Sequence, residues 1–303
     1  MRGRNSIPQR RGWTGAVIAV LALYASAVAG GQASTPVDRP SPGELVRVTI
    51  ANEVAAAKDT SIRHAFRSRK QYAHGSQTKL YVETKEGMAG MVIAYDDHPL
   101  TPEQLQGEES HLDGLQHDPE LLARKQAKEK EDAERTIRIV RALPDAFSYE
   151  YADSEAAADG KFAQVVHLKF KPNPDYSPPS RVEQVLTGMS GDVLIDQRSH
   201  RLMKIDGTLF KEVSFGWSIL GHLNEGGHFL VEQADAGDGT WEMTHMSLRF
   251  TGKILLFKNL NIESDEVFSS FRRIPSDTSF AQGVDMLKDE QSKLAKNGAD
   301  PAK

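Results

Sequence analysis

The sequence predicts an α+β protein whose sheet is largely antiparallel, and three observations carry that expectation. Residues 62–95 and 147–260 hold segments that alternate apolar and polar side chains or run apolar over five to ten positions. Residues 101–143 instead carry helix caps and i, i+4 charge pairs. The strands follow one another across short Gly- and Asp-rich turns, whereas a parallel pair needs a crossover of roughly a dozen residues.

Residues 1–33 have the three parts of a secretory signal peptide. Arg2, Arg4, Arg10 and Arg11 come first, an apolar stretch runs from Trp13 to Ala29, and small residues follow. That stretch is rich in Ala and Gly and shorter than the ~20 residues of a usual spanning helix, so cleavage is expected over anchoring. Ala27-Val28-Ala29 and Gly31-Gln32-Ala33 offer two cuts, after Ala29 or after Ala33. The Arg10-Arg11 pair is a weak match to the twin-arginine route, and the general secretory route is expected, with a destination in the periplasm or outside the cell. Residues 34–43 carry three prolines and read as an extended linker.

Removing residues 1–33 leaves 37 − 4 = 33 basic residues against 42 acids, a formal charge of −9. That balance argues against nucleic acid, whose phosphates demand clustered Lys and Arg. The chain has no cysteine, which excludes disulfides, thiolate nucleophiles, zinc-thiolate sites and a lipidated N-terminal Cys. No later run reaches ~18 apolar residues, so no permanent membrane span is expected after cleavage.

One domain is expected over 44–275. Glu44 to Asp59 reads as a short amphipathic helix, and Ile62 to Tyr72 as a strand with one basic face, Arg63, Arg67 and Arg69. Strands at 80–84 and 88–95 complete a meander. A helical insert, 101–143, has caps at Thr101-Pro102 and Asp118-Pro119, with Pro144 as its stop. Glu120/Arg124, Glu131/Arg135 and Glu134/Arg138 are its expected ion pairs, and its polar middle, Lys125 to Asp132, reads as a solvated face. Further strands are expected at 165–170, 182–186, 192–196, 202–210, 213–217, 229–233, 241–250 and 254–260. Residues 276–303 read as a polar C-terminal tail opening with a short helix.

Catalytic and metal motifs fare poorly. His222 and His228 lie six apart in GHLNEGGH, not at the four-residue helical spacing of zinc peptidases. Asp96-Asp97-His98 falls in a turn, and adjacent Glu108 and Glu109 point to different sides of a helix from each other, with His111 nearby. Ser190 sits in Gly-X-Ser-Gly and lacks the full nucleophile elbow. No enzyme, cofactor or metal is therefore expected.

The apolar investment in the strands is the remaining signal. Leu209, Val213, Phe215 and Trp217 alternate on one strand face with Lys211 among them, and Phe229 and Trp241 follow on later strands. These seven residues are the candidate ligand site, with Lys211 placed to meet a charged head group.

The stretch GDVLIDQRSHRLMKIDGTL (191–209), followed by GHLNEGGHFLVEQADAGDGTWEMTHMSL, resembles the periplasmic outer-membrane lipoprotein carriers and lipoprotein-sorting proteins. The likeness covers roughly 160–260 well and 60–100 loosely, and it consists of hairpin patterns. It implies an unclosed antiparallel β-barrel, helices on its concave side, and an apolar cavity that shields acyl chains. The charged insert 101–143 and the proline-rich loop KPNPDYSPPS (171–180) depart from the family pattern. The expected function is non-catalytic binding of an acyl chain, lipid or lipoprotein. The alternatives are an envelope protein-interaction or sensor module with a filled core and, third, a hydrolase using His222, His228 or Ser190.

Overall fold

A computed structural model describes residues 40–152, 164–215, 221–254 and 258–297. The expected signal peptide, most of the expected linker, Trp217, Leu255 and Phe257 lie outside these residues. The described elements are helices α1 (Pro42–Ala56), α2 (Pro102–His117), α3 (Pro119–Ala146), α4 (Arg181–Gln184) and α5 (Phe280–Asn297), set among strands. The strands are β1 (Arg63–Tyr72), β2 (Gly75–Thr84), β3 (Gly87–Tyr95), β4 (His98–Pro99), β5 (Phe147–Tyr151), β6 (Val165–Pro172) and β7 (Met189–Asp196). They continue with β8 (Arg201–Leu209), β9 (Val213–Phe215), β10 (Gly221–Leu223), β11 (His228–Asp235), β12 (Trp241–Ile254) and β13 (Lys258–Ile274).

All thirteen strands join one unclosed sheet, ordered β4-β3-β2-β1-β13-β12-β11-β8-β7-β6-β5, with β9 and β10 branching beside β12. Every pairing is antiparallel. The α+β class and the open antiparallel sheet are those expected from the sequence.

Pairing register tells which helix covers which face. Side chains directly opposite one another in a ladder share a face, and neighbours along a strand alternate. Leu168, Val193 and Ile205 stand in one row and form a first core with Leu45, Val46 and Ile50 of α1 and Leu143 and Ala146 of α3. Ala65, Val82 and Ala89 stand in another row and form a second core with Leu112 and Leu115 of α2 and Phe280, Val284 and Leu287 of α5. Following the ladder from strand to strand, these rows lie on opposite faces. The α1 face is therefore covered at the β5–β8 end of the sheet, and the α5 face at the β1–β3 end.

The capping signals act as expected. Thr101 and Gln104 form a reciprocal capping box at α2, and the Asp118 carboxylate accepts from the Glu120 and Leu121 N–H groups at α3. Five sequence expectations are corrected. α3 runs past Pro144 to Ala146, because a proline in the last turn forfeits a single intrahelical bond while Leu143 and Ala146 are buried. On α3 the Glu120–Arg124 and Glu131–Arg135 pairs form as expected, but among the described residues Glu134 and Arg138 do not pair, and the expected solvated middle is partly docked on β3, where Lys125 pairs with Glu129 and donates to the Met88 carbonyl. The apolar run 182–186 is α4 followed by a 3-10 turn, started by the Ser180 hydroxyl, which accepts from Val182 N–H at 3.2 Å. The expected 254–260 strand is instead the end of β12 and the start of β13, a 17-residue strand reaching Ile274. Last, the helix expected to open 276–303 is not short: α5 occupies 280–297 and buries Phe280, Val284 and Leu287, spaced for one helix face.

Candidate functional site

The structure divides the seven expected ligand residues. Leu209 and Val213 are fully buried in the first core, and Phe215 and Phe229 pack against it half-buried. Lys211 does not share their row. The strand breaks after Leu209, Phe210 turns outward at 44% exposure, and the Lys211 ammonium lies 5.7 Å from the Phe210 ring centre. Trp241 is half-buried at the start of β12, with the Arg201 guanidinium 5.9 Å above its ring. Trp217 lies outside the described residues. The set thus mixes filled core with surface, and Lys211 is not positioned beside Leu209 and Val213 as a head-group anchor.

A different surface stands open on the α1 face, over β2, β1, β13 and β12, beyond the reach of the first core. The ladder sets Tyr72, Ser264, Leu248 and Phe229 in one cross-strand row. The next row is Gln77, Lys70, Glu266, Met246 and Val231, and the third is Lys79, Ser68 and Phe268. Phe66 and Tyr81 follow, stacked at 5.2 Å, with Phe271 stacked on Phe66 at 5.3 Å and Phe268 edge-on at 6.2 Å. Phe66, Tyr81, Met246, Leu248, Phe268 and Phe271 are half-buried and belong to neither core cluster. Tyr72, Met243 and Ile262, among the most exposed apolar side chains described, share this face.

Two glycines keep the floor of this surface flat. A Cβ on Gly90 would meet the Tyr81 ring at 2.6 Å, and one on Gly207 would strike the Phe229 ring, so each ring lies directly on the neighbouring backbone. Burial, with a smaller push from the Glu266 charge, raises the Tyr81 hydroxyl pKa to about 12, so it remains a neutral phenol.

A polar cluster is set into the apolar rows. Glu266, 8% exposed, accepts from the Ser68 hydroxyl at 2.5 Å and pairs with the Lys70 ammonium at 3.1 Å. Lys70 also lies 5.7 Å from the Tyr72 ring centre. Ser264, 9% exposed, has a buried hydroxyl with no hydrogen-bond partner among the described residues. Orphaned hydroxyls of this kind are uncommon, because desolvation without a partner costs about 1–3 kcal/mol.

The opposite side of the same strands carries a ladder of charges. His228 pairs with Asp206 at 2.8 Å, Lys204 with Asp206 at 3.2 Å, and His245 with Glu232 at 3.3 Å and Asp265 at 3.0 Å. Partial burial pulls the His245 pKa down, but hydrogen bonds to Asp265 and Glu232 outweigh it and leave the pKa above the ordinary histidine value. Arg69 grips Asp97 in the 96–97 turn through two hydrogen bonds of 2.7 and 2.6 Å, which hold the Asp97 carboxyl below its usual range. Glu108 accepts from the Val92 N–H at 3.1 Å, and Ser190 is half-buried in β7 opposite Thr208. His222 sits on β10 and His228 on β11. Among the described residues no group of three or more His, Asp or Glu is arranged to hold a metal ion.

Grooves open on the surface of the described residues, two of which stand out. One, about 770 Å³, lies between α3 and the 173–183 segment and is lined largely by charged side chains, Arg138, Arg141 and Glu134 among them. The other, about 520 Å³, lies at the rim of the open apolar face, against Tyr72, Gln77 and Tyr95. Among the described residues no helix is long and apolar enough to cross a membrane. No family model, curated protein or solved structure matches this chain.

The residues of the open face were individually visible in the sequence, but nothing local marks them as a group. Ser264 and Tyr72 are 192 positions apart, and only the β1–β13 register makes them neighbours. The available signal was the alternation of Phe66, Ser68, Lys70 and Tyr72 opposite the basic side of β1, which sets aromatic and small polar residues on one face.

Proposed function

We propose that this chain is an exported envelope protein that binds the acyl chain of a lipid or lipoprotein on the open part of the α1 face, without catalysis. The observation that carries this reading is the patch of Phe66, Phe268, Phe271, Met246 and Leu248, half-buried and joined to neither core. Apolar side chains that complete no core are normally held in check on a protein surface, and a contiguous set of them marks a contact surface. The flat floor over Gly90 and Gly207 suits a flexible chain, which gains van der Waals contact along its whole length. The arginine-led segment 1–33 and the resemblance to lipoprotein carriers support export and an acyl ligand.

Fluorescence titration with a naphthalene-sulfonate dye, followed by displacement with a long-chain fatty acid, tests the reading. The wild type should bind both. Met243→Asp with Ile262→Asp should weaken binding about tenfold, because two apolar contacts are lost and charges are set beside the chain. Stability should change little, since both side chains are 37% exposed. A wild-type protein that binds neither dye nor fatty acid would overturn the reading and favour an interaction module with filled cores.

A further inference from the structure

The polar cluster on the open face has unused donors and no unused strong acceptor. Each Glu266 carboxylate oxygen is engaged, one by the Ser68 hydroxyl and the other by Lys70. The Ser264 hydroxyl is buried without a partner, and Lys70, at 30% side-chain exposure, retains N–H groups beyond the one turned to Glu266. Ser264 and Lys70 are diagonal neighbours across the β1–β13 ladder, since Tyr72 opposes Ser264 and Lys70 opposes Glu266. Diagonal partners of this kind lie roughly 7–8 Å apart, so a single small group can meet both.

The charge in this region also has a sign. Lys79 stands on the same face opposite Ser68, half-buried, with no hydrogen bond or ion pair among the described residues. Lys70 and Lys79 against Glu266 leave 2 − 1 = +1 on this patch. On the side away from Tyr72, the Ser264 row continues through Leu248 to Phe229, and the Lys70 row through Met246 to Val231, both apolar. A ligand that fills this surface therefore meets hydrogen-bond donors and positive charge at one end, and hydrocarbon at the other.

We propose that Ser264 and Lys70 are the head-group end of this site, and that its ligand is a single-chain amphiphile ending in anionic oxygens, a carboxylate or a phosphate. The tail lies across β12 and β11 over Leu248, Met246 and Phe229. Two head oxygens accept from the Ser264 hydroxyl and the Lys70 ammonium, and Lys79 adds attraction from the next row. A neutral alcohol head satisfies the donors less well and leaves the charge uncompensated. The proposal rests on the acyl-binding reading and adds the chemistry of the head to it.

The test compares myristic acid, myristyl phosphate and myristyl alcohol, which share one tail, and inorganic phosphate, which has none. Displacement of the dye from the wild type should show the acid and the alkyl phosphate binding roughly tenfold tighter than the alcohol or better, the worth of one or two charge-assisted hydrogen bonds. Ser264→Ala and Lys79→Met should each erode that preference severalfold. Ser264→Ala should fold at least as stably as the wild type, because it removes an orphaned hydroxyl. Equal affinity for acid, phosphate and alcohol would overturn the head assignment while leaving acyl binding in place. Inorganic phosphate binding as tightly as the alkyl phosphate would replace the amphiphile with a free-anion site. No binding of any of the four would overturn the acyl reading itself.

Discussion

Removing residues 280–303 should unfold the β1–β3 end of the sheet. α5 contributes Phe280, Val284 and Leu287 to the second core, each almost wholly buried. Burying three such side chains stabilises by about 5–9 kcal/mol, against a total of about 5–15 kcal/mol for a typical domain. Val82, Ala89 and Met91, fully buried against the helix, would be laid open. The helix also fits closely, since a Cβ on Gly283 would come within 2.6 Å of the Thr84 methyl. Lys288 on its outer side pairs with Asp113 of α2 at 2.7 Å, so α2 should loosen as well. Circular dichroism melts and limited proteolysis read the effect, and Val284→Asp should reproduce much of it with the chain length kept. A truncated protein that melts cooperatively at the wild-type temperature would show that α5 is not part of the core.

Glu53→Ala should cost about 3–5 kcal/mol, the range for stranding one partner of a buried ion pair. Glu53 reaches from α1 to β8, where it accepts from the Arg201 guanidinium at 2.8 and 3.1 Å and from the Leu202 N–H at 2.8 Å. The Gln233 amide adds a bond of 3.3 Å from β11. Side-chain exposures of 10% for Glu53 and 15% for Arg201 leave little water to replace the lost partner. Most of the cost is the uncompensated guanidinium, so Glu53→Leu combined with Arg201→Met should be markedly more stable than Glu53→Ala alone. Denaturant unfolding of the three proteins decides it. A double variant no better than the single would mean that the Leu202 N–H, and not Arg201, sets the penalty.

Much of this architecture was legible because local chemistry announces it. Thr101 and Asp118 mark two helices by their side-chain oxygens, and the alternation in β1 to β3 marks a meander. The length and core role of α5 escaped, because its buried residues, Phe280, Val284 and Leu287, are few and set in polar sequence, so composition outweighs period. Beyond Leu260, β13 escaped for the opposite reason. Both of its faces are partly polar, with Asn261, Glu263 and Asp265 on one and Ser264 and Glu266 on the other, which erases the alternation. The site was the least legible part. Leu209 and Val213 show the pattern of a cavity wall as well as they show that of a filled core, and only packing separates the two.

The place of β13 has a consequence in time. It lies beside β1, joining Arg63 to Ile274 across 211 positions, so the first and last strands of the described chain meet in the middle of the sheet. A chain that emerges N-terminus first must therefore hold β1 to β3 with one long edge unsatisfied until almost everything else has appeared. Closing so distant a pairing is slow, and an open strand edge in the interval invites other chains. The edge that waits is the basic one. Arg63, Arg67, Arg69 and Lys70 stud β1, and like charge on one chain repels the same strand on another. β1 thus guards its own vacancy, and pulsed hydrogen exchange during refolding should show the β1–β13 amides among the last to gain protection; protection there ahead of the β7–β8 hairpin would reverse that order.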